Sequence, residues 1–221
     1  MAVKTFNISA YNTGWGDISN AFTKNADPVY LYPNGNWADR KSEWQTTLGG
    51  ADHYAIVKIQ LGGTGATAGG LCRCQGDASN TCYSFYLATS GSYIYRYQAG
   101  SASAVSSDTA TTFSEDTDYY VGMDVSGSGA TVTVHLKWGT SDPPDTETIS
   151  FGDTHSSRVT AGNYGGVFGR NNGATATDCK IFEGKGDTGT IPAVDFPTTE
   201  VIEAFTGVTD TTPPNSNWTN V

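Results

Sequence analysis

Three tyrosines, Tyr93, Tyr95 and Tyr97, alternate with Ile94 and Arg96, so on an extended strand their phenol rings share one face. Rings held this way can stack on sugar faces while their hydroxyls hydrogen-bond the rim, which makes the strand a candidate glycan platform. The competing reading is that the three rings line a core, with hydroxyls at its edge, or form a subunit contact. Cleavage of a glycosidic bond would need two carboxylates facing that bond, one as acid and one as base or nucleophile. An E-x-D-x-x-E strand would supply them, and none occurs. The densest acids, Glu115, Asp116 and Asp118, fall in a turn and read as a solvated loop. Neither G-x-S-x-G nor H-E-x-x-H is present, and His53, His135 and His155 are scattered, with His135 on the polar side of its strand. The chain is therefore read as a non-enzyme.

Metal chemistry finds little support. Asp142, Asp145 and Asp153 fall in expected loops that would suit calcium, but they lack EF-hand spacing, so no cofactor and no metal is assigned. Cys72, Cys74 and Cys82 form a C-x-C-x7-C cluster rather than the C-x2-C knuckles of a zinc site, and Cys179 stands apart. Cys74 and Cys82 flank the turn-like stretch Gly76–Asn80 and are a candidate disulfide across a hairpin; the sequence leaves their redox state open.

The elements that would carry these residues are strands. Ala55, Val57, Ile59 and Leu61 alternate with more polar neighbours. So do Tyr83, Phe85 and Leu87; Tyr119, Val121, Met123 and Val125; and Val132, Val134, Leu136 and Trp138. Ser126-Gly127-Ser128-Gly129 joins the last two runs as a hairpin turn. Helical periodicity is almost absent. Many strands with one apolar face each predict an all-β fold, a two-sheet antiparallel jelly-roll sandwich, with a glycine-rich strand over Gly162–Arg170. Composition shifts after Gly186. Residues 1–186 read as the sandwich and 187–221 as an extended Pro/Thr-rich C-terminal arm. The arm carries the apolar groups Val201, Ile202, Phe205 and Trp218, and its Val201–Phe205 segment is expected to pair with a sheet edge, of a neighbouring subunit in preference to its own domain.

With 221 residues the chain is long enough for one sandwich and too short for two. Twelve Lys and Arg against 22 Asp and Glu give a formal charge of −10, which disfavours nucleic acid and anionic membranes as partners. No apolar run approaches the ~20 residues of a spanning helix. Met1–Phe6 lacks the apolar stretch of a leader and runs directly into strand-like sequence.

The order of segments resembles the concanavalin A-like, laminin-G-like jelly roll over residues 50–186. The resemblance rests on Asp52–Ile59, Gly69-Gly70-Leu71, Cys82–Leu87, Thr117–Met123, Val132–Trp138, Gly165–Gly169 and Asp178–Gly184. One departure stands out: a segment like Glu203–Gly207 with Asn217-Trp218-Thr219 usually opens such a domain, and here it closes the chain. The resemblance and the arm together suggest, first, a bacteriophage virion structural protein, a capsid decoration, tail or fibre component that assembles as a homo-oligomer or with other virion proteins. The alternative is a secreted or surface carbohydrate-binding, lectin-like module, extracellular and recognising host glycans. The two are compatible, since a decoration protein can bind glycans.

Overall fold

The computed structural model describes residues 3–11, 15–17, 22–34, 38–76, 80–171 and 179–193. In chain order the strands are β1 (Lys4–Phe6), β2 (Trp15–Asp17), β3 (Phe22–Ala26), β4 (Val29–Pro33), β5 (Arg40–Trp44), β6 (His53–Leu61), β7 (Thr67–Cys74) and β8 (Cys82–Ala88). They continue with β9 (Gly91–Gln98), β10 (Ser101–Asp108), β11 (Asp118–Ser126), β12 (Val132–Gly139), β13 (Thr146–Asp153), β14 (Tyr164–Arg170) and β15 (Cys179–Thr188). One 3-10 turn, Ile8–Ala10, is the only helical element among the described residues, and no helix there is long and apolar enough to cross a membrane.

Two antiparallel sheets result, as the period-two pattern predicts. The first runs β13-β12-β11-β6-β15-β4-β3, with β1 also paired to β15; the second runs β10-β9-β8-β7-β14-β5-β2. Strands from residues 1–49 enter both sheets. The predicted alternations set the inner faces: Ala55, Val57, Ile59 and Leu61 meet Tyr83, Phe85 and Leu87 in one buried cluster, joined by Val121, Met123, Val134 and Leu136. Each Val, Leu, Ile, Phe or Met side chain among them contributes about 1.5–3 kcal/mol when fully buried.

Alternation fails at Arg73. Its left-handed φ of 52° and the shifted register between β14 and β7 mark a bulge, so Cys74 joins Leu71 on the outer face instead of following Cys72 inward. The Arg73 side chain is fully buried at one end of the sandwich. Its Nε donates to the carbonyl of Ala51 at 2.8 Å, its Nη1 to that of Val159 at 2.8 Å, and its Nη2 to Gly127 O at 2.6 Å and Asp52 Oδ1 at 2.9 Å.

His53 completes this knot, and its protonation sets a pH limit. Its Nδ1–H faces the carbonyl of Gly50 at 2.7 Å, and its Nε2 accepts the Arg73 backbone N–H at 3.0 Å. A proton on Nε2 would oppose that N–H, and burial holds the imidazole pKa down to about 4, with Arg73 adding to the effect. The unfolded chain then binds more protons than the folded one between pH 4 and 6.5, so stability rises with pH across that window and is lost as pH falls through it. About 3 kcal/mol is expected to disappear from pH 7 to pH 4 on this account. Urea unfolding of the wild type and of His53→Gln, which keeps a donor and an acceptor without titrating, measures it. Equal pH slopes for the two would show that His53 plays no such part.

The sheet does not stop at residue 186, where composition places the boundary. Asp187 and Thr188 continue the β15 ladder onto Tyr54 and His53, and Ile191 packs on Tyr54 and Ile56. These residues pair because backbone groups facing a partner strand pair whatever the side chains. Val201, Ile202, Phe205 and Trp218 lie outside the described residues.

Candidate functional site

The outer face of the second sheet gathers one cluster of aromatic residues outside the main core. Register sets them in rows: Tyr93 of β9 stands opposite Tyr86 of β8, Tyr86 opposite Gly69 of β7, and Gly69 opposite Phe168 of β14. Tyr86 and Phe168 are two strands apart, about 9.6 Å between backbones. Gly69 has no side chain to separate them, so their rings stack across it at 4.8 Å and 14°. Tyr86 also stacks on Tyr93 at 5.3 Å and 24°, and on Tyr95 at 5.8 Å and 21°. The four rings form one near-parallel array.

The predicted tyrosine triad divides. Tyr93 and Tyr95 are half-buried and keep part of each ring open, whereas Tyr97 is 3% exposed over Leu71, Cys74 and Cys82. Tyr97 donates its hydroxyl to Asp39 Oδ2 at 2.6 Å, and Lys41 Nζ lies 3.4 Å from its ring centroid. Asp39 also faces Arg170 Nη1 at 3.6 Å. Lys41 belongs to β5 and Tyr97 to β9, with β14, β7 and β8 between them. A flat sheet would hold those strands about 19 Å apart, beyond what the two side chains span easily, so this face is curved inward. Burial pushes the phenols of Tyr86 and Tyr97 up and the Lys41 ammonium down; the carboxylate of Asp39 raises Tyr97 further. The phenols thus stay protonated as hydrogen-bond donors through neutral pH. At the open rim the Ser90 and Tyr93 hydroxyls are 3.1 Å apart.

The other candidates are dispersed. Cys74 and Cys82 do face each other across the β7–β8 hairpin, but as free thiols; all four cysteines are free and buried. The candidate disulfide is therefore corrected to a thiol pair: the Cys74 and Cys82 thiols hydrogen-bond each other, and that contact and burial push Cys74 well above the ordinary thiol range. Glu115 accepts from Thr64 at 3.2 Å, Asp118 pairs with Lys58 at 3.0 Å, and Asp116 turns the chain with φ 54°. Asp142 pairs with Lys185, and Asp145 accepts from Thr146. Asp153 is not a loop acid: it closes β13, buried against Arg96 and Tyr83, which hold its carboxyl down against the opposing effect of burial. No group of three or more His, Cys, Asp or Glu able to hold a metal occurs among the described residues. His135 is half-buried rather than free, with Nδ1 2.8 Å from Asp124 Oδ1.

Sequence reasoning missed Tyr86, Phe168, Asp39, Lys41 and Arg170 as members of the face. One signal was available: Tyr86 stands at a polar-side position of the Tyr83–Leu87 alternation, where an aromatic residue needs an outer partner.

No protein-family model matches the sequence, and no curated protein matches it. Solved structures do. The Bacillus subtilis carbohydrate-binding module CBM66 is 15% identical over 80% of this chain and 94% of its own, with a TM-score of 0.50. The VIP36 exoplasmic/lumenal domain in its Ca2+/Man3GlcNAc-bound form is 12% identical over 88% and 93%, with a TM-score of 0.54. A native glycosidic hydrolase is 10% identical over 86% and 97%, with a TM-score of 0.55. Sugar-binding and sugar-cleaving proteins thus share this architecture, and the virion reading draws no support from them. The chain has the concanavalin A-like jelly-roll fold.

Proposed function

We propose that this protein is an extracellular carbohydrate-binding module that holds glycans on the tyrosine face of its second sheet and does not cleave them. The observation that carries the reading is the half-open pair Tyr93 and Tyr95, fixed near-parallel by stacking on Tyr86. Rings already immobilised lose little entropy when a sugar stacks on them, and the phenol and serine hydroxyls at the rim supply directional hydrogen bonds. The likeness in fold to a carbohydrate-binding module and to a VIP36 domain bound to Man3GlcNAc supports the same reading.

The carboxylates of this face argue against hydrolysis. Asp39 is taken by Tyr97 and Arg170, and Glu43 accepts from the Gly76 N–H at 3.0 Å. Four residues apart on an extended strand, they are separated by about 13 Å, wider than the roughly 5–9.5 Å of glycosidase pairs. The test is a glycan array followed by calorimetry on the glycans it selects. Tyr95→Ala is expected to weaken binding about tenfold or more, with the melting temperature nearly unchanged because the ring is only half-buried. No reducing sugar is expected from β-glucan, agar or chitin. Binding that survives a Tyr93→Ala/Tyr95→Ala double change would sink the platform, and turnover would sink the non-catalytic reading.

A further inference from the structure

Among the described residues, one margin of the sandwich is left open. Edge strand β10 of the second sheet and edge strand β13 of the first approach each other without pairing. Between them lies a cleft of 240 Å3 lined by Arg96, Ala104, Val105, Phe151, Asp153, Thr154 and His155. Phe151 pairs with core-facing Val134 and so points inward, yet it remains 40% exposed at β13, the edge strand of its sheet among the described residues. On the other wall β10 shifts register between Ala104 and Ser106, and the two consecutive residues Ala104 and Val105 both line the cleft.

Arg96 supplies the polar group. It projects from β9 on the side opposite the tyrosines, and it is 6% exposed. Its Nη1 meets both oxygens of Asp153, at 2.9 and 2.8 Å. Asp153 is filled further by the Tyr83 hydroxyl at 2.7 Å and the His155 N–H at 3.0 Å, so the pair is held from several sides. The other edge of the guanidinium is different. Nε and Nη2 donate to nothing among the described residues, and neither is sealed from solvent. Two parallel N–H groups of a guanidinium with no protein acceptor match a carboxylate in geometry and charge.

We propose that the β10–β13 cleft binds a uronic-acid sugar residue, its carboxylate on the Nε–Nη2 edge of Arg96 and its ring on Phe151. The two walls together call for a carboxylate on a body with an apolar face, since an inorganic anion would leave Phe151 unused and a neutral ligand would leave the fork unfilled; that this body is a sugar rests on the proposed carbohydrate-binding function. The site is independent of the tyrosine face, which lies on the other side of β9.

The test is titration of the full chain with D-glucuronate, D-glucose and inorganic sulfate, followed by amide chemical shifts. Glucuronate is expected to bind about tenfold or more tighter than glucose, with shifts at residues 104–105 and 151–155. Phe151→Ala, at an exposed edge position, is expected to weaken glucuronate about fivefold. Arg96→Lys, which keeps the charge beside Asp153 but removes the fork, is expected to weaken it about tenfold. Should Arg96→Lys fail to fold, Phe151→Ala and the glucose comparison decide. Equal affinity for glucose, sulfate binding as tight as glucuronate, indifference to Phe151→Ala, or shifts confined to Tyr93–Tyr97 would each overturn the proposal.

Discussion

Replacing Arg73 by leucine is expected to remove more than about 4 kcal/mol of unfolding free energy, a large part of the ~5–15 kcal/mol that keeps a domain folded. Leucine fills the apolar part of the space but leaves the carbonyls of Ala51, Gly127 and Val159 without their donors. Each hydrogen bond from a charged donor is worth roughly 1.5–3 kcal/mol, and a buried acceptor left empty adds its own desolvation cost. The three carbonyls belong to three segments, before β6, after β11 and before β14, so one side chain ties both sheets at this end. Asp52 is a useful contrast. Its side chain is 60% exposed, so water replaces the lost partner, and Asp52→Asn is expected to cost below ~1 kcal/mol. Chemical denaturation of the two variants separates the accounts. An Arg73→Leu protein within about 1 kcal/mol of wild type would show that the carbonyls find other donors.

How far the sequence discloses this arrangement depends on whether a feature is periodic. The core faces of β6, β8, β11 and β12 are legible because burial of one sheet face imposes period two, and nothing interrupts it in those strands. The Arg73 knot is illegible because it depends on a single bulge, and Arg-Cys within C-x-C reads as ordinary strand. The tyrosine face is half legible. Tyr93, Tyr95 and Tyr97 share a side by local spacing, but what separates buried Tyr97 from half-open Tyr95 is Lys41 and Asp39, four strands away in the sheet and more than fifty residues away in the chain. Periodicity carries no information about such partners. The Cys74–Cys82 proximity was legible from the hairpin, whereas the free state of the thiols was not, since spacing fixes closeness and not bonding. Asp153 reads as a loop acid because its strand, Thr146–Asp153, is exposed along much of its length and shows little apolar alternation.

Gly69→Ala is expected to destroy the tyrosine face and, with it, most of the stability of the second sheet. A β-carbon at this position would stand 1.9 Å from the carbonyl oxygen of Phe85 and 2.5 Å from the Cα of Tyr86. Both are backbone atoms of the neighbouring strand, so no rotamer change relieves the clash; β7 and β8 must separate where Gly69 and Tyr86 pair. Overpacking that moves backbone costs about 1–3 kcal/mol in ordinary cores, and here it also opens a ladder, so a loss above about 4 kcal/mol is expected. The same methyl would enter the gap across which Tyr86 and Phe168 stack at 4.8 Å, and Tyr93 and Tyr95 both rest on Tyr86. Stability and glycan binding should therefore fall together. Gly129→Ala is the control: nothing lies within 4 Å of its β-carbon, and the change should be neutral within about 0.5 kcal/mol. A Gly69→Ala protein that melts like wild type and keeps its near-ultraviolet tyrosine signal would show that β7 can yield without disturbing the rings. The glycine would then be a bystander, and the parallel array would have to be held by the tyrosines themselves.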